Sequence, residues 1–229
     1  MQFIILHEKK LIIFWSPKCG CTSLKTIISV YLNIYDSNKY KHIHKNEELK
    51  KLIDVKKYKS EIYKDYDIVM LIRNPYTRLV SGFINKYISG KYKKPDNFDS
   101  FLDFCNILSK YPYKIDKHHF EKQTTNKGWE FYLELGKPKI KYVLDTSKVN
   151  DLKKILDLDI DDIKINKTNK IVEEDNINLW SKSYNSLKKI TNYNYSNFYN
   201  DYLKKLVYNI YKDDFIFFKE NLGIDYDIN

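Results

Sequence analysis

Twice the chain runs from a continuous apolar stretch through a short polar loop into a segment with helical periodicity. That succession constrains the fold more than any other feature. The first instance is Leu11 to Trp15, then Ser16 to Ser23, then Leu24, Ile27, Ile28, Tyr31 and Leu32 at i, i+3, i+4, i+7 and i+8. Thr22 or Ser23 is the expected N-cap. The second is Asp67 to Ile72, a run apolar enough to be buried on both faces, followed by Arg73-Asn74-Pro75. Asn74 is expected to cap, and Pro75 to open, a helix that buries Leu79, Val80, Phe83, Ile84, Tyr87 and Ile88. Strands that each feed a helix indicate an α/β domain with a largely parallel sheet, whose ligands sit at the carboxyl ends of the strands.

The remaining chain fits around this pattern. Phe3 to Leu6 and Leu11 to Trp15, joined by the polar turn His7 to Lys10, read as an opening hairpin. Ile140 to Leu144 reads as a third strand of the alternation, with Asp145 to Ser147 capping a helix through Leu156, and Ile163 to Ile165 as a fourth. Helices are expected near Asn46 to Tyr58, over Phe98 to Leu108, and in a helical C-terminal part at Tyr199 to Tyr211 and Asp213 to Asn221. Tyr111 to Trp129 reads as irregular. With 229 residues and neither a repeat nor a Gly/Ser linker, one domain over 1–229 is expected.

Composition excludes several classes. At 43% hydrophobic the chain can bury a core, which excludes global disorder. No apolar run reaches the roughly 18 to 20 residues of a membrane span. The N-terminal apolar run is too short for a secretory signal, so a soluble, cytoplasmic chain is expected. Three cysteines without a CxxC or zinc spacing fit a reducing compartment, and the two Asn-x-Ser/Thr triplets at Asn166 and Asn194 read as chance matches. The net charge of +10 is weak evidence for a polyanionic partner: Lys occurs 38 times and Ala never, as AT-rich codon usage would give. The two arginines, Arg73 and Arg78, are more informative, because Lys cannot replace a planar bidentate guanidinium.

Both polar loops suit anions. Lys18, Gly20, Cys21, Thr22 and Ser23 stand at a helix N-terminus, where unpaired N–H groups favour a phosphate or sulfate, and Gly20 permits close approach. The Gly-x4-Gly-Lys spacing of a Walker A loop occurs nowhere. In the second loop Arg73 can hold a phosphate, with Ser81 completing its shell, while Arg78 reads as a capping salt bridge. Two such loops on neighbouring strands point to a ligand with two separated anionic groups.

These segments resemble a known family. Leu11-Ile12-Ile13-Phe14-Trp15-Ser16-Pro17-Lys18-Cys19-Gly20-Cys21-Thr22-Ser23-Leu24-Lys25 is similar to the 5′-phosphosulfate loop of carbohydrate sulfotransferases. The segment from Val69 to Phe83, with Arg73-Asn74-Pro75 at its centre, is similar to their 3′-phosphate motif. His119-Phe120-Glu121-Lys122-Gln123, Asn166-Lys167-Thr168 and Leu206 to Phe215 resemble later family segments in order. The resemblance implies a three-layer, P-loop-NTPase-like fold that binds 3′-phosphoadenosine 5′-phosphosulfate and releases adenosine 3′,5′-bisphosphate. It implies that Lys18 contacts the sulfuryl group, that Gly20, Cys21, Thr22 and Ser23 cradle the 5′-phosphate, that Arg73 and Ser81 bind the 3′-phosphate, and that Lys167 or Thr168 closes over the nucleotide.

Sulfuryl transfer is largely positioning and electrostatic stabilisation. With no carboxylate cluster near either loop, no metal is demanded. The partners expected are the nucleotide sulfate donor and a glycan or other hydroxyl acceptor, with no nucleic acid and no membrane span. The acceptor hydroxyl needs a general base. His119 is the first candidate, because it lies in a family-like segment and can titrate near neutrality; His44 or His42 is the second, while His118 and His7 read as surface residues. Lys91, Lys93 and Lys94 read as a solvated run, and the 21 tyrosines as core and codon bias before any sugar-binding role. Two other readings stay open: an ATP-dependent P-loop kinase, disfavoured by the missing Walker glycines, and a non-catalytic polyanion binder, which would not explain why both arginines sit beside one helix start.

Overall fold

Alternating apolar strands and amphipathic helices give the chain a sheet that needs cover on both sides, and the computed structural model shows that arrangement. It describes residues 1–35, 43–53, 59–92, 98–159, 178–190 and 193–227. In chain order the strands are β1 (Gln2–Leu6), β2 (Leu11–Trp15), β3 (Asp67–Leu71) and β4 (Tyr142–Leu144). The helices are α1 (Cys21–Tyr31), α2 (Glu47–Ile53), α3 (Pro75–Phe83), α4 (Phe101–Lys110), α5 (Lys117–Phe120), α6 (Asn126–Glu134), α7 (Asp151–Ile155), α8 (Tyr184–Leu187), α9 (Asp201–Ile210) and α10 (Lys212–Leu222). The chain separates into two compact units, one of residues 1–73 and 123–167, the other of 74–122 and 168–229.

The first unit holds the sheet, in the order β1-β2-β3-β4. β1 pairs antiparallel with β2, Gln2 opposite Trp15, and β2, β3 and β4 run parallel, with Trp15 opposite Leu71 and Leu71 opposite Leu144. The carboxyl ends of the three parallel strands therefore share one edge with the start of β1. Alternation sends Ile13, Trp15, Val69 and Leu71 to one face, where they pack with Leu24, Ile27 and Ile28 of α1, Leu49 of α2 and Leu152 of α7. On the other face Phe3 and Phe14 meet Phe131 of α6, at 4.5 and 6.2 Å between ring centroids, and Phe14 meets Tyr132 edge-on at 5.9 Å. Helix, sheet and helix make three layers within this unit.

The second unit is helical. Phe83 of α3 lies at the centre of an aromatic cluster with Phe101 and Phe104 of α4 and Phe198, its ring centroid 5.1 Å from each of the first two. Buried Tyr199 donates to the Tyr76 carbonyl at 2.8 Å, and Tyr211 to the Phe120 carbonyl at 2.8 Å, so each phenol finds an acceptor. A Cβ on Gly82 would stand 2.6 Å from the Phe120 ring, so α3 approaches this ring only with glycine there.

The hairpin, the buried strand β3 and the cap at Asn74 follow the sequence expectation; the Asn74 side chain accepts from the Tyr76 N–H at 2.9 Å with Pro75 first in the helix. Other expectations need correction. The cap of α1 is Gly20, in the left-handed region at φ 82°, and not Thr22 or Ser23, because the loop turns into the helix two to three residues earlier. The second periodic helix ends at Phe83 and widens into a π turn over Ile84–Ile88. Tyr111 to Trp129 is not wholly irregular: it contains α5 and the start of α6, whose Asn-Lys-Gly opening hid its periodicity. The helix after β4 begins only at Asp151, since Asp145 first closes a turn by accepting from the Ser147 and Lys148 N–H groups. The strand expected at Ile163 to Ile165 lies outside the described residues, as does the end of the helix expected through Tyr58. Among the described residues, no helix is long and apolar enough to cross a membrane.

Candidate active site

The loop between β2 and α1 is wound tightly enough to leave a concave backbone at the strand end. The Cys19 N–H returns to the Ser16 carbonyl at 3.1 Å, and both Lys18 and Gly20 have positive φ, 72° and 82°. Glycine accepts this conformation without cost, but lysine does not, and such strain in a non-glycine residue gathers at working sites. At Gly20 the conformation, not space, demands glycine, since a Cβ would meet Val149 at an ordinary 3.7 Å. The first bond within α1 is Leu24 N–H to the Gly20 carbonyl at 3.0 Å. The N–H groups of Cys21, Thr22 and Ser23 thus precede the helical ladder and lie at the positive end of the helix dipole. The Ser16 hydroxyl is buried with no hydrogen-bond partner among the described residues, although buried polar atoms nearly always have one.

Arg73, two residues past β3, is tied to this loop. Its Nη1 donates to the Lys18 carbonyl at 3.0 Å, which holds the peptide that follows the strained lysine. Its backbone is held in turn by Gln123, which is completely buried. Gln123 Oε1 accepts from the Arg73 N–H at 3.1 Å, and its Nε2 donates to the Arg73 carbonyl at 2.8 Å. The same Oε1 accepts from Cys19 Sγ at 3.1 Å. One amide therefore joins both loops. Gln123 was visible in the sequence only as the end of a family-like segment, and nothing in its spacing revealed this role.

His44 stands against the start of α1. Its Nε2 lies 3.0 Å from Thr22 Oγ1, and its Nδ1 lies 3.3 Å from Lys25 Nζ. The first unit thus brings Lys18, Gly20, Cys21, Thr22, Ser23, Arg73 and His44 together. Burial, with the nearby Lys50 charge adding to it and the Cys21 thiol opposing it, lowers the Lys25 ammonium from its ordinary value.

The other predicted residues belong elsewhere. Ser81 is half-buried in the second turn of α3, in the second unit. His119 is in that unit too, in α5, with its Nδ1 hydrogen-bonded to Asp116 Oδ2. Asp116 was missed in the sequence, although its spacing of three residues from His119 within a helical turn was available. The expectation that His119 titrates near neutrality is corrected: burial pulls it down to about 4, outweighing the opposing hydrogen bond and charge of Asp116. Arg78, expected as a capping salt bridge, is buried and donates to the backbone carbonyls of Glu121, at 2.7 Å, and His119, at 3.4 Å. His42, Lys93, Lys94, Lys167 and Thr168 lie outside the described residues. No cluster of His, Cys, Asp or Glu suited to a metal ion occurs among the described residues.

Compared with known proteins, the chain matches the model of the sulfotransferase family over residues 1–219. No curated protein and no solved structure matches it.

Proposed function

The chain belongs to the sulfotransferase family, and we propose that it moves a sulfuryl group from 3′-phosphoadenosine 5′-phosphosulfate to a hydroxyl of a carbohydrate acceptor, as a single catalytic domain of P-loop-like fold. The observation that carries this reading is the Lys18–Arg73 arrangement: a strained, glycine-capped loop, suited to an anion, whose backbone is fastened by an arginine from the loop that follows the neighbouring parallel strand. Its donors fit a phosphate in kind and number, with the Cys21, Thr22 and Ser23 N–H groups, two hydroxyls and a lysine.

The bound donor would supply a sulfuryl group on an activated phosphate–sulfate linkage. In this reading the first turn of α1 orients the 5′-phosphate, and Lys18 places positive charge where the leaving oxygen gains its electron pair. Arg73 and, in the second unit, Ser81 are the candidates for the 3′-phosphate, and Lys167 or Thr168 for closure over the nucleotide. His44 takes the acceptor proton as the new oxygen–sulfur bond forms and the old one breaks. It stands ahead of His119 because it adjoins Thr22, whereas His119 is held neutral and weakly basic by burial. Each role needs only groups this chain provides.

The test is a thermal-shift comparison of adenosine 3′,5′-bisphosphate with ATP, ADP and free sulfate. At 100 times the dissociation constant, binding stabilises by about 2.7 kcal/mol, roughly 5 to 10 °C for a chain of this size. The bisphosphate is expected to give that shift, and Arg73→Lys to lose it. A shift with ATP alone replaces this reading with the kinase. Silence from all four, with steeply salt-dependent binding to a polyanion, replaces it with the non-catalytic binder.

A further inference from the structure

The first unit contains a cavity of about 410 Å³ at the sheet edge where β2 ends and β1 begins. Lys25 of α1, His44, Lys50 of α2 and Lys127 of α6 line it, together with Gln2 and Gly128. The start of α6 packs closely on the start of β1: the Gly128 N–H donates to the Met1 carbonyl at 3.2 Å, and a Cβ on Gly128 would stand 2.8 Å from that oxygen. Three lysines from three separate helices thus converge on one concavity, and no carboxylate is among the residues lining it.

The chain has 38 lysines, and a lysine on a solvated face is the ordinary case; Lys50 and Lys127 are exposed and Lys25 is half-buried. These differ in sharing a cavity. Like charges gathered around one concavity repel, and a bound anion relieves that repulsion. Lys25 bears that cost already, its ammonium weakened by burial and by Lys50. Lys50 pairs with Glu47 at 2.7 Å, but both side chains are at least half exposed, and such a pair releases its lysine at little cost. His44 touches both the cavity lysine Lys25 and the loop hydroxyl of Thr22. The cavity therefore adjoins the proposed donor loop through the proposed base.

We propose that this cavity is an acceptor subsite for an anionic substituent, a carboxylate or a sulfate ester carried by the acceptor apart from its reacting hydroxyl, with Lys50 and Lys127 as its specificity-determining residues. The inference rests on the sulfotransferase reading and narrows its acceptor to acidic sugars.

Calorimetric titration of the full chain saturated with adenosine 3′,5′-bisphosphate tests it, with three probes that differ in one group: phenyl β-D-glucuronide, phenyl β-D-glucoside 6-sulfate and phenyl β-D-glucoside. At least one acidic glycoside is expected to bind about tenfold or more tighter than the neutral one, and the tighter of the two acidic probes names the anion. The double variant Lys50→Gln, Lys127→Gln is expected to erase that preference and to keep wild-type bisphosphate affinity, which reports that it is folded. The inference is overturned if the acidic and neutral glycosides behave alike, including if none binds, or if the preference survives in the double variant. A bisphosphate that binds while the glycosides show no preference removes only the subsite. A bisphosphate that fails to bind the wild type removes the donor reading and the subsite with it.

Discussion

Gln123 and Arg73 exchange two hydrogen bonds, the side-chain amide of one clasping the main-chain N–H and C=O of the other. A side-chain amide has the donor and acceptor of a peptide group and so can mimic a β-strand neighbour. Here it extends the pairing pattern of β3 beyond its last strand residue, to the arginine that fastens the loop.

Gln123→Leu keeps the bulk and removes both bonds to Arg73 and the one from Cys19, leaving the part-buried Arg73 N–H and carbonyl without the amide. A loss of about 2 to 4 kcal/mol in urea-unfolding stability is expected. Bisphosphate affinity should fall beyond what a control of equal destabilisation in the second unit shows, because Arg73 loses its fixed backbone. A variant that binds like that control would reduce Gln123 to a packing residue.

Lys18 holds a conformation that costs a non-glycine residue about 1 to 2 kcal/mol. Lys18→Gly should therefore melt at or above the wild-type temperature, while sulfuryl transfer drops by about a hundredfold or more for want of the charge. Lowered stability together with lowered turnover would mean that the lysine contributes to folding and that its strain is not held for function.

His119 makes the fold sensitive to acid. Its folded pKa of about 4 lies below the 6.5 of the unfolded chain, so between these values the unfolded state binds more protons and stability falls as pH falls. The loss reaches up to about 3 kcal/mol at pH 4, at roughly 1.4 kcal/mol per unit. The groups that act on it are Asp116, which favours the charged ring, and Lys86 and His118, which oppose it. Asp116 itself is held below its ordinary value, largely by the His119 hydrogen bond and charge working against burial, and adds a further loss below pH 3.8. Melting temperature followed from pH 7 to pH 4 should slope less in His119→Gln than in wild type. Parallel slopes would place the acid sensitivity elsewhere.

What could be read in the sequence was what is local. The apolar run from Leu11 to Trp15 and the i, i+3, i+4 series after it specify a strand and a helix whatever lies around them, and Asn74-Pro75 carries its own cap. The tight loop between β2 and α1 was legible for the same reason. The cap of α1 lies two residues before the first capping hydroxyl, Thr22, because the left-handed preference of Gly20 outweighs a side-chain cap there. α6 was missed because its polar, glycine-bearing start conceals Phe131 and Tyr132, whose burial is decided by Phe3 and Phe14 across the sheet. The Gln123 clasp and the convergence of Lys25, Lys50 and Lys127 join residues far apart in the chain, and one sequence carries no local signal for such meetings.

The clasp also bears on the order in which the chain can acquire its working shape. β1 and β2 form a hairpin from adjacent residues, a contact that closes quickly. Gln123 reaches Cys19 across 104 positions and Arg73 across 50, so those loops are joined only after a long excursion through the second unit has been synthesised. During synthesis, the nascent chain carries the complete anion-loop motif well before it has the amide that shapes it. A truncated product ending short of residue 123 would retain every letter of that loop and lack its scaffold, which makes the finished loop a late event in the life of each molecule.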